Sequence, residues 1–297
     1  MTALDLQGII VPLITPFTRA GEIYEDGLRR LLDFHLEKGS HGMFICGTFG
    51  SGPIMSTTER KRVTEITVDQ INGRIPVIVQ IGSPSTAQVL DLARHAQDTG
   101  ANAVASTPPF YYKHDEQTVA QHFHELVKAV NIPVFFYNNP GITGFSLRPN
   151  FLVKLVELGV QGMKDSGFNF VDFTHNLSAL EDQPDFIYVV GTETVCLPAM
   201  LLGVKACISG LSNVLPELVI DLFNKTRAKK IEEAAKLQIK VNQARKALHI
   251  PHSPHAAVYS VLTWRGLDVG VPKPPILPVS RDDEVRMKEA YEKLGLL

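Results

Sequence analysis

Residues 76–106 read PVIVQIGSPSTAQVLDLARHAQDTGANAVAS, and this stretch decides the fold class. It begins with an apolar, β-branched run at 76–81 and ends with a second apolar run at 101–106. Between them, residues 85–100 have the periodicity of an amphipathic helix and end in glycine, which commonly follows the last turn of a helix. Such a strand–helix–strand unit crosses over with a right hand, so its two strands lie parallel in one sheet.

The same alternation continues in both directions along the chain. Eight short apolar runs recur, and most of them are too apolar to have one face in water, which is typical of parallel strands covered on both sides. These runs are 8–13, 41–46, 76–81, 101–106, 133–138, 160–164, 186–190 and 205–209. Eight such units predict a closed (β/α)8 TIM barrel. An open doubly wound sheet is the rival, but it usually has fewer strands and a Gly-rich first turn, whereas TPFTRAGE follows the first run here.

The chain after the eighth run has a different character. Its segments have helical periodicity, and the proline-rich stretch VGVPKPPILPVS precedes the last of them. We therefore predict a catalytic barrel domain at 1–226 and a C-terminal helical region at 227–297.

Composition excludes several classes of protein. The 29 basic and 31 acidic residues are mixed along the chain, so no basic stripe is available for nucleic acid. The N-terminus has no signal-peptide pattern, and no apolar run reaches the roughly 18 residues of a membrane span. Cys46, Cys196 and Cys207 are widely spaced and predict small buried side chains, not disulfides or a metal site. These features favour a reducing cytoplasm.

The sixth apolar run ends on a lysine, Lys164, where a TIM barrel carries its catalytic groups. An ordinary lysine pKa of about 10.4 leaves fewer than one amine in ~10³ neutral at pH 7. Burial in a barrel mouth lowers that pKa, and a neutral amine can then form an iminium with a ketone. Strand alternation predicts that Lys164 shares a face with Val160 and Gly162, whose small size leaves room for the amine, and that Asp165 points away in a structural role.

Such chemistry also needs a proton shuttle and a seat for a carboxylate. Tyr137 ends the fifth run and Tyr111 lies in the loop after the fourth, so both are candidates for proton transfer, with Thr48 as a bridge. The Gly-rich turn at 47–52, GTFGSG, can offer backbone N–H groups to the carboxylate of a keto acid.

On the residues alone, structural roles stay open. A lysine at a strand end usually extends into solvent, Tyr137 can be a core residue, and GTFGSG fits neither nucleotide-binding motif. The histidines of HIPHSPH, His249, His252 and His255, suggest a metal site. Because two prolines interrupt them, we interpret the segment as the entry to a helix and predict no metal.

Six motifs that occur in order along the chain favour catalytic over structural roles for these residues. They are GIIVPLITPF, GTFGSGPIMSTTER, TPPFYYK, FFYNNPGITG, GMKDSG and KPPILP followed by the terminal LGLL. Each is weak alone, but together they resemble the dihydrodipicolinate synthase / N-acetylneuraminate lyase family over essentially the whole chain. The resemblance implies a class I, Schiff-base pyruvate aldolase or lyase. It implies no metal and no organic cofactor, because the lysine iminium is the electron sink.

The resemblance also assigns roles to residues. Lys164 matches the iminium-forming lysine, Tyr137 the tyrosine that moves protons beside it, and Thr48 the hydroxyl residue of a GTTGE-type motif. Tyr111 matches a loop tyrosine that reaches the active site of a neighbouring subunit, within a homotetramer built from tight dimers. The residues that match substrate-binding positions are Thr48, Phe49, Gly50, Gly191 and Ile208.

Departures from the family pattern concern the second substrate. The synthase branch carries an arginine two residues after the proline of YNxP, where this chain has Ile142. Phe49 and Ser51 replace the second threonine and the glutamate of GTTGE. GTFGSGPIMS and VPKPPILP are similar to the 2-keto-3-deoxygluconate aldolase branch. We therefore predict a carbon–carbon lyase of carbohydrate metabolism that cleaves a 2-keto-3-deoxy sugar acid into pyruvate and an aldehyde, or forms it from them.

Alternatives remain within and outside the enzyme class. The chain could be a 4-hydroxy-tetrahydrodipicolinate synthase that binds its second carboxylate differently, or another pyruvate-dependent lyase or dehydratase. It could also be a non-catalytic sensor of keto acids. The joint presence of Lys164, Tyr137 and Thr48 argues against a sensor, which has no need of all three.

Overall fold

The computed structural model describes residue 4 and residues 6–297. Eight parallel strands are hydrogen-bonded in sequence order, and the last pairs with the first to close the barrel. The strands are β1 Gly8–Val11, β2 Gly42–Ile45, β3 Val77–Gln80, β4 Ala103–Ser106, β5 Val134–Asn138, β6 Gly162–Asp165, β7 Ile187–Val190 and β8 Ala206–Ile208. The predicted TIM barrel is confirmed. Seven strands lie within the apolar runs that predicted them, and β6 extends one residue past its run, to Asp165.

Helices follow the strands and continue after the barrel closes. They are α1 Glu25–Glu37, α2 Thr57–Ile71, α3 Thr86–Thr99, α4 Glu116–Ala129, α5 Pro140–Thr143, α6 Pro149–Glu157, α7 Phe170–Ser178, α8 Cys196–Leu201, α9 Pro216–Arg227, α10 Ile231–Leu248, α11 Pro254–Trp264 and α12 Arg281–Lys293. Helices α5 to α8 are short, with four to nine residues each.

Local sequence explains where the helices begin and end. Before α2, the Ser56 side chain accepts from the backbone N–H of Glu59, whose carboxylate accepts from the backbone N–H of Ser56, which is a complete capping box. After α3, Gly100 has φ +97°, a left-handed conformation that glycine adopts without steric cost. The helix predicted from periodicity at 85–100 therefore has the bounds that its end signals indicate.

The strands separate two apolar cores. One fills the barrel interior and the other lies between the strands and the surrounding helices. Gly162 and Lys164 face the interior, but Val160 precedes β6 and belongs to the outer core, so the prediction that it shares their face is wrong. Gly162 leaves room for the Phe135 ring, not for the amine, because a Cβ there would lie 2.4 Å from Phe135 Cε1.

The proline-rich stretch before α12 is packed against the barrel. Val271 donates its backbone N–H to Phe17 O, and the Lys273 ammonium lies 2.7 Å from the Glu59 carboxylate at the start of α2. Helices α9 and α10 pack together across the predicted domain boundary. The division at residue 226 stays a prediction.

In the part of the chain that the structure describes, the helices are too short or too polar for any of them to cross a bilayer. The three cysteines are free and buried.

The close approach of Phe135 to Gly162 gives a test of the interior packing. We expect Gly162→Ala to lower the free energy of unfolding by ~1–3 kcal/mol, because the new methyl group overpacks the barrel interior. Gly141→Ala is the matched control, since a Cβ at that glycine would have no neighbour within 4 Å. Urea unfolding of both variants measures the difference, and an equal effect from the two substitutions would contradict the packing described for the interior.

Candidate active site

The Lys164 amine lies inside the mouth of the barrel between two aromatic rings. Its Nζ is 4.0 Å from the centroid of Phe44 and 4.1 Å from that of Tyr137, and the residue is 4% exposed. Among the described residues, no carboxylate lies within the 4.0 Å of an ion pair. Burial therefore lowers the pKa of Lys164 from its ordinary value of 10.5. This is how an amine becomes a nucleophile near neutral pH.

The Tyr137 hydroxyl is held in a short polar network. It lies 3.2 Å from Thr48 Oγ1 and accepts a hydrogen bond from Asn139 Nδ2 at 3.2 Å. Burial alone would raise the pKa of this phenol. When Lys164 is protonated, its positive charge and the hydrogen bonds from Thr48 and Asn139 outweigh burial, so the pKa of Tyr137 is lowered from 10.0. The phenol can thus exchange a proton with a group bound at the amine.

The Gly-rich turn after β2 has free backbone donors. In the part of the chain that the structure describes, the N–H groups of Thr48, Phe49 and Gly50 donate no intramolecular hydrogen bond. Gly50 is required there, because a Cβ would lie 2.9 Å from Leu13 O. Successive unpaired N–H groups in a turn are suited to binding a carboxylate.

The Phe49 ring lies between the barrel and the C-terminal helices. A Cβ on Gly210, which follows β8, would lie 2.7 Å from Phe49 Cζ. The Phe49 ring centroid is also 4.7 Å from that of His255 in α11. Burial lowers the pKa of His255 to about 4, so this histidine is neutral at pH 7.

The two pocket positions named from the family resemblance lie at the ends of β7 and β8. Ile208 belongs to the interior core. Gly191 follows β7, and a Cβ there would lie 2.2 Å from Ser166 Oγ and 2.5 Å from Asp165 O. A larger residue at 191 would therefore displace the chain next to Lys164.

Tyr111 is not brought to the other site residues within this chain. It is 86% exposed, has φ +83° and packs edge-on against Tyr112, with the ring centroids 5.1 Å apart. The structure joins Lys164, Tyr137 and Thr48 and leaves Tyr111 directed elsewhere.

Asp165 faces the outer layer, as strand alternation predicts. Its Oδ1 accepts from Asn138 Nδ2 and from the N–H of Gly167, both at 2.9 Å, and its Oδ2 accepts from the Tyr188 hydroxyl at 2.6 Å. Tyr188 belongs to the outer core. The carboxylate anchors the end of β6 and does not face the amine.

Sequence reasoning missed several residues around the amine. Phe44 lies two positions before the end of the second apolar run, and strand alternation could have placed it in the interior. His255 was interpreted as part of a helix entry and not as a metal ligand, and no local signal connects it with Phe49. In the described residues, no group of three or more His, Cys, Asp or Glu side chains is arranged to hold a metal ion.

Comparison with known proteins places this geometry in a family. Residues 5–294 match the sequence profile of the "Dihydrodipicolinate synthetase family". The chain is 34% identical over 297 residues to the 4-hydroxy-tetrahydrodipicolinate synthase of Methanopyrus kandleri, covering 99% of this chain and 98% of that protein.

Two solved structures share the fold over nearly their whole length. The prophage protein YagE of E. coli K12, described as a member of the dihydrodipicolinic acid synthase family and solved in complex with pyruvate, superposes with a TM-score of 0.95 at 24% identity, covering 99% of this chain and 100% of that one. A variant of the 2-keto-3-deoxygluconate aldolase of Sulfolobus solfataricus superposes with a TM-score of 0.89 at 26% identity, covering 97% and 96%.

Fold and relatives together define a class I aldolase, a pyruvate-dependent carbon–carbon lyase. The chain belongs to the dihydrodipicolinate synthetase family, as its motifs predicted. Enzymes of this family use a lysine Schiff base with pyruvate and need no external cofactor.

The buried amine has a measurable cost. We expect Lys164→Met to raise the free energy of unfolding at pH 7 by ~1–3 kcal/mol, since it removes a desolvated polar group and keeps most of the volume. The pKa of Lys164 in the folded chain lies below 10.5, its ordinary value, which applies in the unfolded chain. At a pH between these two values, the unfolded chain therefore binds more protons than the folded chain. The free energy of unfolding of the wild type therefore rises with pH in that interval. Its difference from the free energy of unfolding of Lys164→Met becomes smaller as the pH approaches 10.5.

Urea unfolding across this pH range measures the gap. Lys236→Met, at an exposed position of α10, is the control and should show no such trend. A gap that stays constant with pH would contradict the lowered pKa.

Proposed function

We propose that Lys164 forms a Schiff base with pyruvate, and that the chain uses this intermediate to join pyruvate to an aldehyde or to release it from a longer keto acid. The observation that supports the proposal is an amine buried between two aromatic rings, beside a tyrosine that hydrogen-bonds a threonine. Its lowered pKa supplies the neutral form that attacks a carbonyl carbon.

The remaining groups suit the steps of this reaction. The N–H groups of residues 48–50 bind the carboxylate of pyruvate, and the amine attacks C2 with loss of water. Tyr137, as the phenolate, takes a proton from the methyl group and turns the iminium into an enamine, whose carbon attacks the aldehyde. Tyr137 donates a proton to the new alkoxide oxygen, and water then releases the product from Lys164. In the cleavage direction, Tyr137 accepts that proton instead.

Two aldehydes are candidates for the second substrate. The relatives that are named for an activity include the synthase of Methanopyrus kandleri and that of Acetivibrio thermocellus, the latter 31% identical over 291 residues. These names support 4-hydroxy-tetrahydrodipicolinate synthesis, with aspartate semialdehyde as the aldehyde, better than the sugar-acid reaction that the sequence favoured. In that reaction, a group other than residue 142 binds the second carboxylate.

One observation favours the sugar-acid reaction. Ile142 lies in α5, directly after the strand that carries Tyr137, and its side chain is 57% exposed. An aliphatic side chain cannot form the bidentate hydrogen bonds that a guanidinium offers to a carboxylate. An uncharged polyhydroxy aldehyde needs no such partner, and a 2-keto-3-deoxygluconate aldolase is among the structures of the same fold.

The exposed tyrosine supports a proposed assembly. Tyr111 and Tyr112 are both largely exposed at the tip of one loop. Because large aromatic side chains at an exposed site often mark an interface, we propose that Tyr111 reaches the site of a neighbouring subunit in a homotetramer. We also propose a cytoplasmic location, which suits the three free cysteines.

Reductive trapping tests the Schiff base. Pyruvate with borohydride should add one pyruvate-derived group to the wild-type chain, and peptide mapping should locate it on Lys164. Lys164→Arg should take up none, because a guanidinium does not form an imine. Tyr137→Phe should still be trapped but should lose about 10²–10⁴-fold in turnover, since it lacks the proton shuttle. A wild-type chain that stays unlabelled would overturn the proposal.

Paired assays identify the aldehyde. Wild type is tested with pyruvate and either aspartate semialdehyde or glyceraldehyde, and the larger kcat/KM assigns the reaction. Ile142→Arg should improve kcat/KM for aspartate semialdehyde by about 10- to 150-fold, since one charged hydrogen bond is worth ~1.5–3 kcal/mol, and should leave kcat/KM for glyceraldehyde nearly unchanged. Ile142→Leu is the control for shape. Equal changes for both aldehydes would show that residue 142 does not contact the second substrate.

A further inference from the structure

We propose that Glu193, together with Arg245, is a positioning residue that fixes the pyruvate-binding turn through Gly210 and Phe49. The inference rests on the proposed function, because it assigns the role of a residue in the same reaction. It also gives helix α10, which lies after the barrel in the chain, a part in substrate binding.

The Glu193 carboxylate is fully enclosed and has three donors. It follows β7, is 0% exposed and lies 2.9 Å from Arg245 Nη1 of α10. Its oxygens also accept from the backbone N–H groups of Gly210 at 3.1 Å and Leu211 at 3.2 Å. Burial would raise the pKa of Glu193, but Arg245 and the hydrogen bonds lower it, so the carboxylate is ionised. One buried charge thus joins the ends of β7 and β8 to α10.

The same helix holds the turn that carries Glu193. Gln238 donates from Nε2 to Glu193 O at 2.8 Å and accepts from the N–H of Leu197 at 2.9 Å. Asn242 Nδ2 donates to Thr194 O at 3.4 Å. Residues 238, 242 and 245 lie on one face of α10, so this face aligns the carboxylate as a unit.

The loop at Gly210, which the Glu193 carboxylate holds in place, contacts the turn after β2 through the Phe49 ring. The Phe49 ring fills the space where Gly210 has no Cβ, and the His255 ring also packs against it. The backbone of Phe49 belongs to the proposed carboxylate seat, and its neighbour Thr48 hydrogen-bonds Tyr137. A shift of the Gly210 loop therefore moves Phe49 and changes where the free N–H groups point.

A buried ion pair can also contribute only to stability, or to nothing that can be measured. The two roles differ in their readouts. A purely structural pair changes the unfolding midpoint but not the pyruvate dependence of the folded enzyme. A positioning pair raises the pyruvate concentration that half-saturates trapping on Lys164, while the limiting rate at saturation stays close to wild type.

The first experiment removes the charge of Glu193 or of Arg245. It is done at a temperature at which circular dichroism shows that each variant is folded. Glu193→Gln and Arg245→Met should each raise the half-saturating pyruvate concentration in borohydride trapping by about tenfold or more, as expected when binding groups are displaced by a fraction of an ångström. Arg286→Met removes an exposed arginine of α12 that pairs with Asp283, and it should leave this concentration unchanged.

A second variant tests the contact between Gly210 and Phe49 and leaves the Glu193–Arg245 ion pair unchanged. Gly210 has φ −62°, so alanine is allowed there, but its Cβ would press on the Phe49 ring. Gly210→Ala should raise the half-saturating pyruvate concentration, and Phe49→Leu in the same chain should recover at least part of the loss, because a smaller side chain relieves the contact.

The outcomes separate the two proposals. If wild type is not trapped by pyruvate at all, the proposed function fails. The second outcome is that wild type is trapped and that Glu193→Gln, Arg245→Met and Gly210→Ala have the same half-saturating pyruvate concentration as wild type. In that case the positioning role fails and the proposed function stands. The role also fails if the variants lose only limiting rate, or if Phe49→Leu does not relieve Gly210→Ala.

Discussion

The structure depends on one costly arrangement, a lysine side chain held inside a barrel mouth where none of the described residues places a carboxylate beside it. Lys164 is almost fully buried and faces the rings of Phe44 and Tyr137, which offer it only the weak attraction between a cation and an aromatic face. Because water is excluded and no carboxylate of the described residues replaces it, the neutral amine is favoured. The barrel tolerates this cost because its closed ladder of eight strands and two apolar cores supply the stability elsewhere.

The groups around the amine come from several strands, and the geometry of a closed barrel brings them together. Strands β5 and β6 are neighbours with Tyr137 opposite Lys164, so the proton-transfer candidate and the nucleophile are fixed by the same backbone ladder. Thr48 comes from the turn after β2, across the mouth. The Asp165 carboxylate anchors the end of β6 from the outer side. The site is therefore rigid because both faces of the strands that carry it are packed.

Most of the barrel was predictable because each parallel strand is apolar on both faces and each crossover helix carries its own end signals. The alternation of β6 also predicted the opposite directions of Lys164 and Asp165. The rule failed at Val160, which precedes the regular strand and packs in the outer core. It also missed the reason for Gly162, whose missing side chain makes room for Phe135. That contact joins two strands and leaves no trace in the local sequence.

What the sequence by itself determined was the class of fold and the position of Lys164 at the end of the sixth strand, since strand order and period follow from local pattern. It offered Tyr137 and Thr48 only as candidates, beside Tyr111. The tertiary structure alone decided that Arg245 of α10 meets Glu193 after β7, that Gly210 supports the Phe49 ring, and that His255 covers it. These contacts join residues that lie far apart in the chain and belong to separately formed elements. No periodicity records them, because they arise only when the closed barrel and the last helices pack against each other.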